Sequence, residues 1–155
     1  MTDPSTPNND LAVDQTKDQI KNLDKGKTRS PAKKPEENLI NTLAPYLAEA
    51  FARKIQEITV LDVRNLTSYT DAIMIITAQS QRQVSSIAEH IHIAMKKVNN
   101  LPIGTEGMKQ GTWALLDYGD VVINVFDKTT RDFYDLEGLW SEAPRLDLSA
   151  FKSSR

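Results

Sequence analysis

A chain of 155 residues without cysteine excludes thiol catalysis, cysteine-ligated zinc and a disulfide framework, and its length suits one domain that buries its own core. Its 39% hydrophobic and 26% charged content is that of an ordinary folded chain, while a formal net charge of -2 disfavours a protein held mainly by nucleic-acid phosphates. No apolar run reaches the roughly 20 residues that span a bilayer, and the N-terminus lacks the basic and apolar regions of a secretory signal, so a cytoplasmic protein with no membrane partner is expected.

Residues 1–37 carry Pro4, Pro7, Pro31 and Pro35, few large apolar side chains and closely mixed charges. Such a segment buries too little apolar surface to offset its ordering entropy, which predicts a disordered N-terminal extension. The folded domain is placed at 38–147 and a flexible tail at 148–155. Ile40, Leu43, Leu47, Phe51 and Ile55 recur at helical spacing. Pro45 fits best in a first turn, so the firm helix is predicted from Pro45 to Lys54. The stretch 58–63 reads as a strand, and 70–78 as a second one, apolar on both faces and therefore central. Ser80 and Gln83 form a capping box. The helix after it aligns Val84, Ile87, Ala88, Ile91, Ala94, Met95 and Val98 on one face.

After the break NNLPIGTEG, the runs TWALLD and DVVINVFD predict a hairpin with Tyr118 and Gly119 at its turn. That register sets Asp117 opposite Asp120, an unfavourable pairing of like charges. Either Asp117 bonds turn amides or a partner supplies a basic group. A last helix is expected after Thr129 and Thr130, with Asp132 near the positive end of its dipole and Phe133, Leu136 and Trp140 on its inner face. Together these elements define one α/β domain, a mixed β-sheet packed by helices.

Candidate chemistry is sparse. His90 and His92 lie about 200° apart on a helix and cannot hold one metal as a pair. Two metal-binding carboxylates on a strand need i, i+2 spacing, which Asp117, Asp120 and Asp127 do not supply. The junction ITAQSQRQ has no glycine for a phosphate loop. No cofactor, no metal site and no catalytic residue are therefore expected; the alternative is a metal-dependent nucleotidyltransferase-like enzyme. Partner binding is the remaining chemistry. Trp113 and Leu115 share one strand face, Ala114 and Leu116 the other, and Tyr118 closes the group; such aromatics are either core or the centre of an interface. Core is the expected place for Phe133 and Trp140. Residues 101–147 hold nine Asp or Glu against four Lys or Arg, whereas 38–100 hold five against six. The acidic half either attracts a basic partner or is a solvated face.

The segments TDAIMIITAQSQRQVSSIAEHI, EG at 106 and 107, WALLDYGDVVINVFDKTTRDFYDLEGLW and the following AP closely resemble the Iojap-related ribosomal silencing factor family, RsfS, over residues 45–147. The chain departs from the family pattern at Gln79, where a small residue is usual, at Asn124, where histidine is common, and at Ala72 and Ile73. The resemblance implies a fold similar to the nucleotidyltransferases without their catalytic carboxylates. It implies binding to the large ribosomal subunit through its protein number fourteen, steric obstruction of small-subunit joining when nutrients are scarce, and a part in large-subunit maturation. Carried to matching positions, the docking residues are Trp113, Leu115, Leu116, Asp117, Tyr118 and Asp120, with the two aspartates set to pair with Lys or Arg. Monomer and homodimer remain open for the free protein.

Overall fold

The computed structural model describes residues 35–153. Most of the extension expected to be disordered lies outside the described residues, but its last positions already belong to helix α1, Pro35–Phe51. Leu39, Leu43, Tyr46, Leu47 and Ala50 of α1 are buried at helical spacing. The helix thus starts ten residues ahead of the expected Pro45 and ends before Lys54. The apolar stripe continues through the proline, whose ring removes only the N–H that would bond the Asn41 carbonyl; both residues lie on the exposed side.

The chain continues through β1 Glu57–Asp62, β2 Ala72–Ala78, α2 Gln81–Lys97, β3 Gly104–Glu106, β4 Trp113–Asp117, β5 Val121–Asp127, α3 Lys128–Tyr134, α4 Leu136–Leu139 and α5 Ser149–Ser153. The strands form one mixed sheet in the order β1-β2-β5-β4-β3. Its central pair, β2 and β5, is parallel, and the other pairs are antiparallel. This is the α/β domain expected. No helix among the described residues is long and apolar enough to cross a membrane.

Helix α2 begins as its capping box predicts. Ser80 Oγ accepts from the Gln83 amide at 3.2 Å, while Gln83 Oε1 accepts from the Gln79 amide at 3.1 Å, one residue upstream of the serine. At the other end the Asn99 amide donates to the Lys96 carbonyl and the Asn100 amide to the Met95 carbonyl, with Asn99 at φ 60. This double closure stops the helix, so Val98 is 67% exposed instead of continuing the buried stripe.

Three other expectations change. The break at NNLPIGTEG contains β3, which pairs with β4. The hairpin turn is Gly119–Asp120, because Asp117 faces Val122 and the Tyr118 amide donates to the Val121 carbonyl. Gly119, at φ 86, takes the first turn position that favours glycine. Asp117 and Asp120 therefore do not oppose each other. Finally, residues 148–153 of the stretch expected as a flexible tail are structured: Leu148 is buried, Phe151 packs against the main core and α5 contacts α1.

The two sheet faces differ. Even-numbered residues of β2 and β4, with Val121, Ile123 and Val125 of β5, point into the main core under α1 and α2. The opposite face carries a smaller cluster, Leu61, Ile73, Ile75 and Phe126 under Leu136 and Trp140. Helices α3 and α4 cover only part of it.

Candidate docking site on the open face of the sheet

Alternation along β4 decides which of the expected contact residues can reach a partner. Trp113, Leu115 and Asp117 are half-buried on the open face, whereas Leu116 is 0% and Tyr118 8% exposed within the main core. Leu116 and Tyr118, two of the expected docking residues, thus face the main core and not the open face. Tyr118 stacks on Tyr46 of α1, ring centroids 5.1 Å apart. Its buried hydroxyl has no hydrogen-bond partner among the described residues, and burial pushes its pKa up to about 12.

The open face forms a trough of about 1180 Å³. Its floor is set by β4 and β5. The Trp113 indole N–H donates to Asn124 Oδ1 at 3.0 Å, and the ring stacks on Phe126 at 4.9 Å and Tyr134 at 4.7 Å. Asn124, 2% exposed, uses its amide N–H groups for the Met74 and Val122 carbonyls. The indole is thus fixed in orientation by a buried, satisfied amide. On one rim Phe133, 75% exposed, meets Tyr134 edge to face at 4.9 Å. It is not the core residue expected: Asp135 in the left-handed region ends α3, so the helical register linking Phe133 to Leu136 and Trp140 is lost. Trp140 is buried as expected.

On the other rim the Tyr69 hydroxyl donates to Asp117 Oδ2 at 2.8 Å, while Asp117 Oδ1 accepts from the Gly119 amide at 2.9 Å. Asp117 bonds the turn, the first of its two expected roles, and its second oxygen is also engaged. Burial, then the hydrogen bond and charge of Asp117, push Tyr69 up to about 12. Asp120 stands exposed at the turn. Asp127 caps α3, accepting from the Thr130 amide at 2.8 Å, and these bonds hold its carboxyl below the usual range although burial acts the other way. Among the described residues no group of three or more His or acidic side chains is placed to hold a metal ion. His90 instead lies 3.0 Å from Glu49, tying α2 to α1.

Arg131 fixes α3 on the sheet. Its guanidinium, 8% exposed, pairs with Glu57 and Glu137 and donates to Thr77 Oγ1 at 2.8 Å. Sequence reasoning placed neither Tyr69 nor Asn124 at the site and expected Phe133 in the core. The lone polar residue in the apolar run of β5 was the available signal for Asn124; Tyr69 arrives from the β1–β2 loop, where no periodicity operates.

The open face is an aromatic trough on a sheet sealed behind by helices. The family model described as "Ribosomal silencing factor during starvation" matches residues 31–155, and the chain belongs to that family, RsfS. It is 36% identical over 100 residues to ribosomal silencing factor RsfS of Chromobacterium violaceum, covering 64% of this chain and 82% of that protein. It is 35% identical over 109 residues to the chloroplastic protein Iojap of Zea mays, covering 69% of this chain and 47% of the relative. A crystal structure of a Bacillus halodurans protein superposes with a TM-score of 0.61 at 30% identity, covering 70% of this chain and all of that one.

Proposed function

We propose that the open face docks this chain on the large ribosomal subunit through its protein number fourteen, and that the docked body keeps the small subunit away, repressing translation under nutrient limitation. Family membership directs the reading to the ribosome. The observation that carries it to this face is the uncovered surface around Trp113 and Leu115, rimmed by Phe133, on a sheet whose other face is sealed. Aromatics held rigidly at the centre of such a surface dominate interface energetics. Asp120, exposed at the turn, is the carboxylate proposed to meet a Lys or Arg of the partner. Leu116 and Tyr118 act from behind by fixing the hairpin. The action is occupancy, in the cytoplasm, with no reaction; a part in large-subunit maturation uses the same docking.

The test follows the coupling of purified ribosomal subunits by light scattering, with cosedimentation on each subunit. Wild-type protein in molar excess slows coupling and sediments with large subunits only. Phe133→Ala weakens large-subunit binding by about 2 kcal/mol, roughly thirtyfold, as expected for an aromatic anchor. Its unfolding midpoint stays within about 0.5 kcal/mol of wild type because the ring is exposed. Wild-type protein that leaves coupling unchanged overturns the reading; unaltered affinity of the variant removes Phe133 from the face.

A further inference from the structure

At the end of the sheet where the parallel strands β2 and β5 finish, three segments come together. Residues 52–56 leave α1, residues 79–86 open α2, and residues 107–112 join β3 to β4. The Arg53 guanidinium donates to Ser86 Oγ at 2.6 Å, which ties the first segment to the second. Gly111 lies so close to Gln81 that an added Cβ would be 2.7 Å from its carbonyl oxygen, which ties in the third.

These segments hold Arg53, Lys54, Arg82 and Lys109, all exposed, and no Asp or Glu. Five glutamines supply neutral hydrogen-bonding groups around them. Of the bordering carboxylates, Glu57 pairs with Arg131, Asp127 accepts from the Thr130 amide at 2.8 Å and from Gln81 Nε2 at 3.4 Å, and Glu106 stands exposed beside Gly107. On a chain of net charge -2 this concentration of positive charge is a local feature.

We propose that this basic end contacts the phosphodiester backbone of ribosomal RNA, a second anchor beside the open face; the inference rests on the docking reading above. Exposed cations spread over three segments suit an extended polyanion better than a single small anion, which needs convergent donors in a pocket. Lys, Arg, Gln and Ser are the side chains that bond phosphate oxygens without reading sequence. The basic end also adjoins the trough, since Gly107, Gln110 and Thr112 line it. One docked molecule can therefore present aromatic surface to protein and positive charge to neighbouring RNA.

The experiment measures affinity of the full chain for purified large subunits against salt concentration, for wild type, for the triple variant Arg53→Gln, Arg82→Gln, Lys109→Gln, and for Phe133→Ala. Each lost phosphate contact lowers the logarithmic salt slope by about one. The triple variant is expected to bind more weakly at low salt with a slope reduced by about two to three. Phe133→Ala is expected to bind more weakly with its slope unchanged. A photo-crosslinking residue at position 82 is expected to label RNA. An unchanged slope in the folded triple variant, or labelling of protein only, overturns this inference and leaves the docking reading standing. Wild-type protein that does not bind large subunits at all overturns the docking reading itself.

Discussion

Two tyrosines brace the hairpin from opposite sides, Tyr118 against α1 and Tyr69 through Asp117. Both hydroxyls are pushed up to about 12, mainly by burial, and burial also raises Tyr46. A raised folded pKa means that the neutral form is favoured in the folded state. The contribution to stability is full below pH about 10, the unfolded tyrosine value, and is lost as pH rises through the folded pKa. Urea unfolding midpoints are therefore expected to fall between pH 10 and 12, and the double variant Tyr69→Phe, Tyr118→Phe to show a flatter decline. An equal decline in that variant would assign the loss to other groups. At this scale the sequence was only partly legible. The Asp117 turn bond was foreseeable from residue type, but the one-residue shift of the turn to Gly119–Asp120 removed the expected Asp117–Asp120 opposition. Alternation in β4 separates Trp113 from Leu116 in principle; which face stays open depends on helices distant in sequence.

The elements themselves were more legible where one periodic signal ran unbroken. Helix α2 and its Ser80 cap follow from residue types alone, as does the central, doubly buried β2. Legibility failed at three kinds of position. Pro45 masked the first half of α1, although the apolar residues at 39, 43 and 47 continue through it. Strand β3 has three exposed residues and no alternation to detect; it exists because β4 offers it an edge. The left-handed Asp135 divides what looked like one terminal helix into α3 and α4. Pro45 gives a prediction of its own. Because it lies in the helix interior and on the exposed side, Pro45→Ala restores an N–H to the Asn41 carbonyl without disturbing the core. The variant is expected to be about 1–3 kcal/mol more stable in urea unfolding. A lower midpoint would mean that the proline fits a bend the core requires.

At the scale of the whole molecule, the open face adjoins the basic end, which is shared by the exit of α1, the start of α2 and the β3–β4 loop. A folded body of about 120 residues has a radius of gyration of about 14 Å, enough to obstruct a joining surface if docked as proposed. Occupancy carries a quantitative signature. Inhibition of subunit coupling is expected to rise in proportion to added protein and to saturate at about one copy per large subunit, because nothing is turned over. Full inhibition by a few copies per hundred subunits would instead indicate catalysis. The bulk charge was legible from composition, but its local segregation was not: Arg53, Arg82 and Lys109 come together only when α1, α2 and the β3–β4 loop are folded against one another.

The parallel pairing of β2 with β5 has a kinetic consequence. Ala72 is matched with Val121, so the centre of the sheet is assembled from distant parts of the chain, and neither part can bury its apolar strand alone. Loop closure must precede most of the stabilising contacts, which slows folding and makes unfolding cooperative. The sheet is therefore expected to come apart as one unit, with its fluorescence and circular-dichroism transitions in urea coinciding.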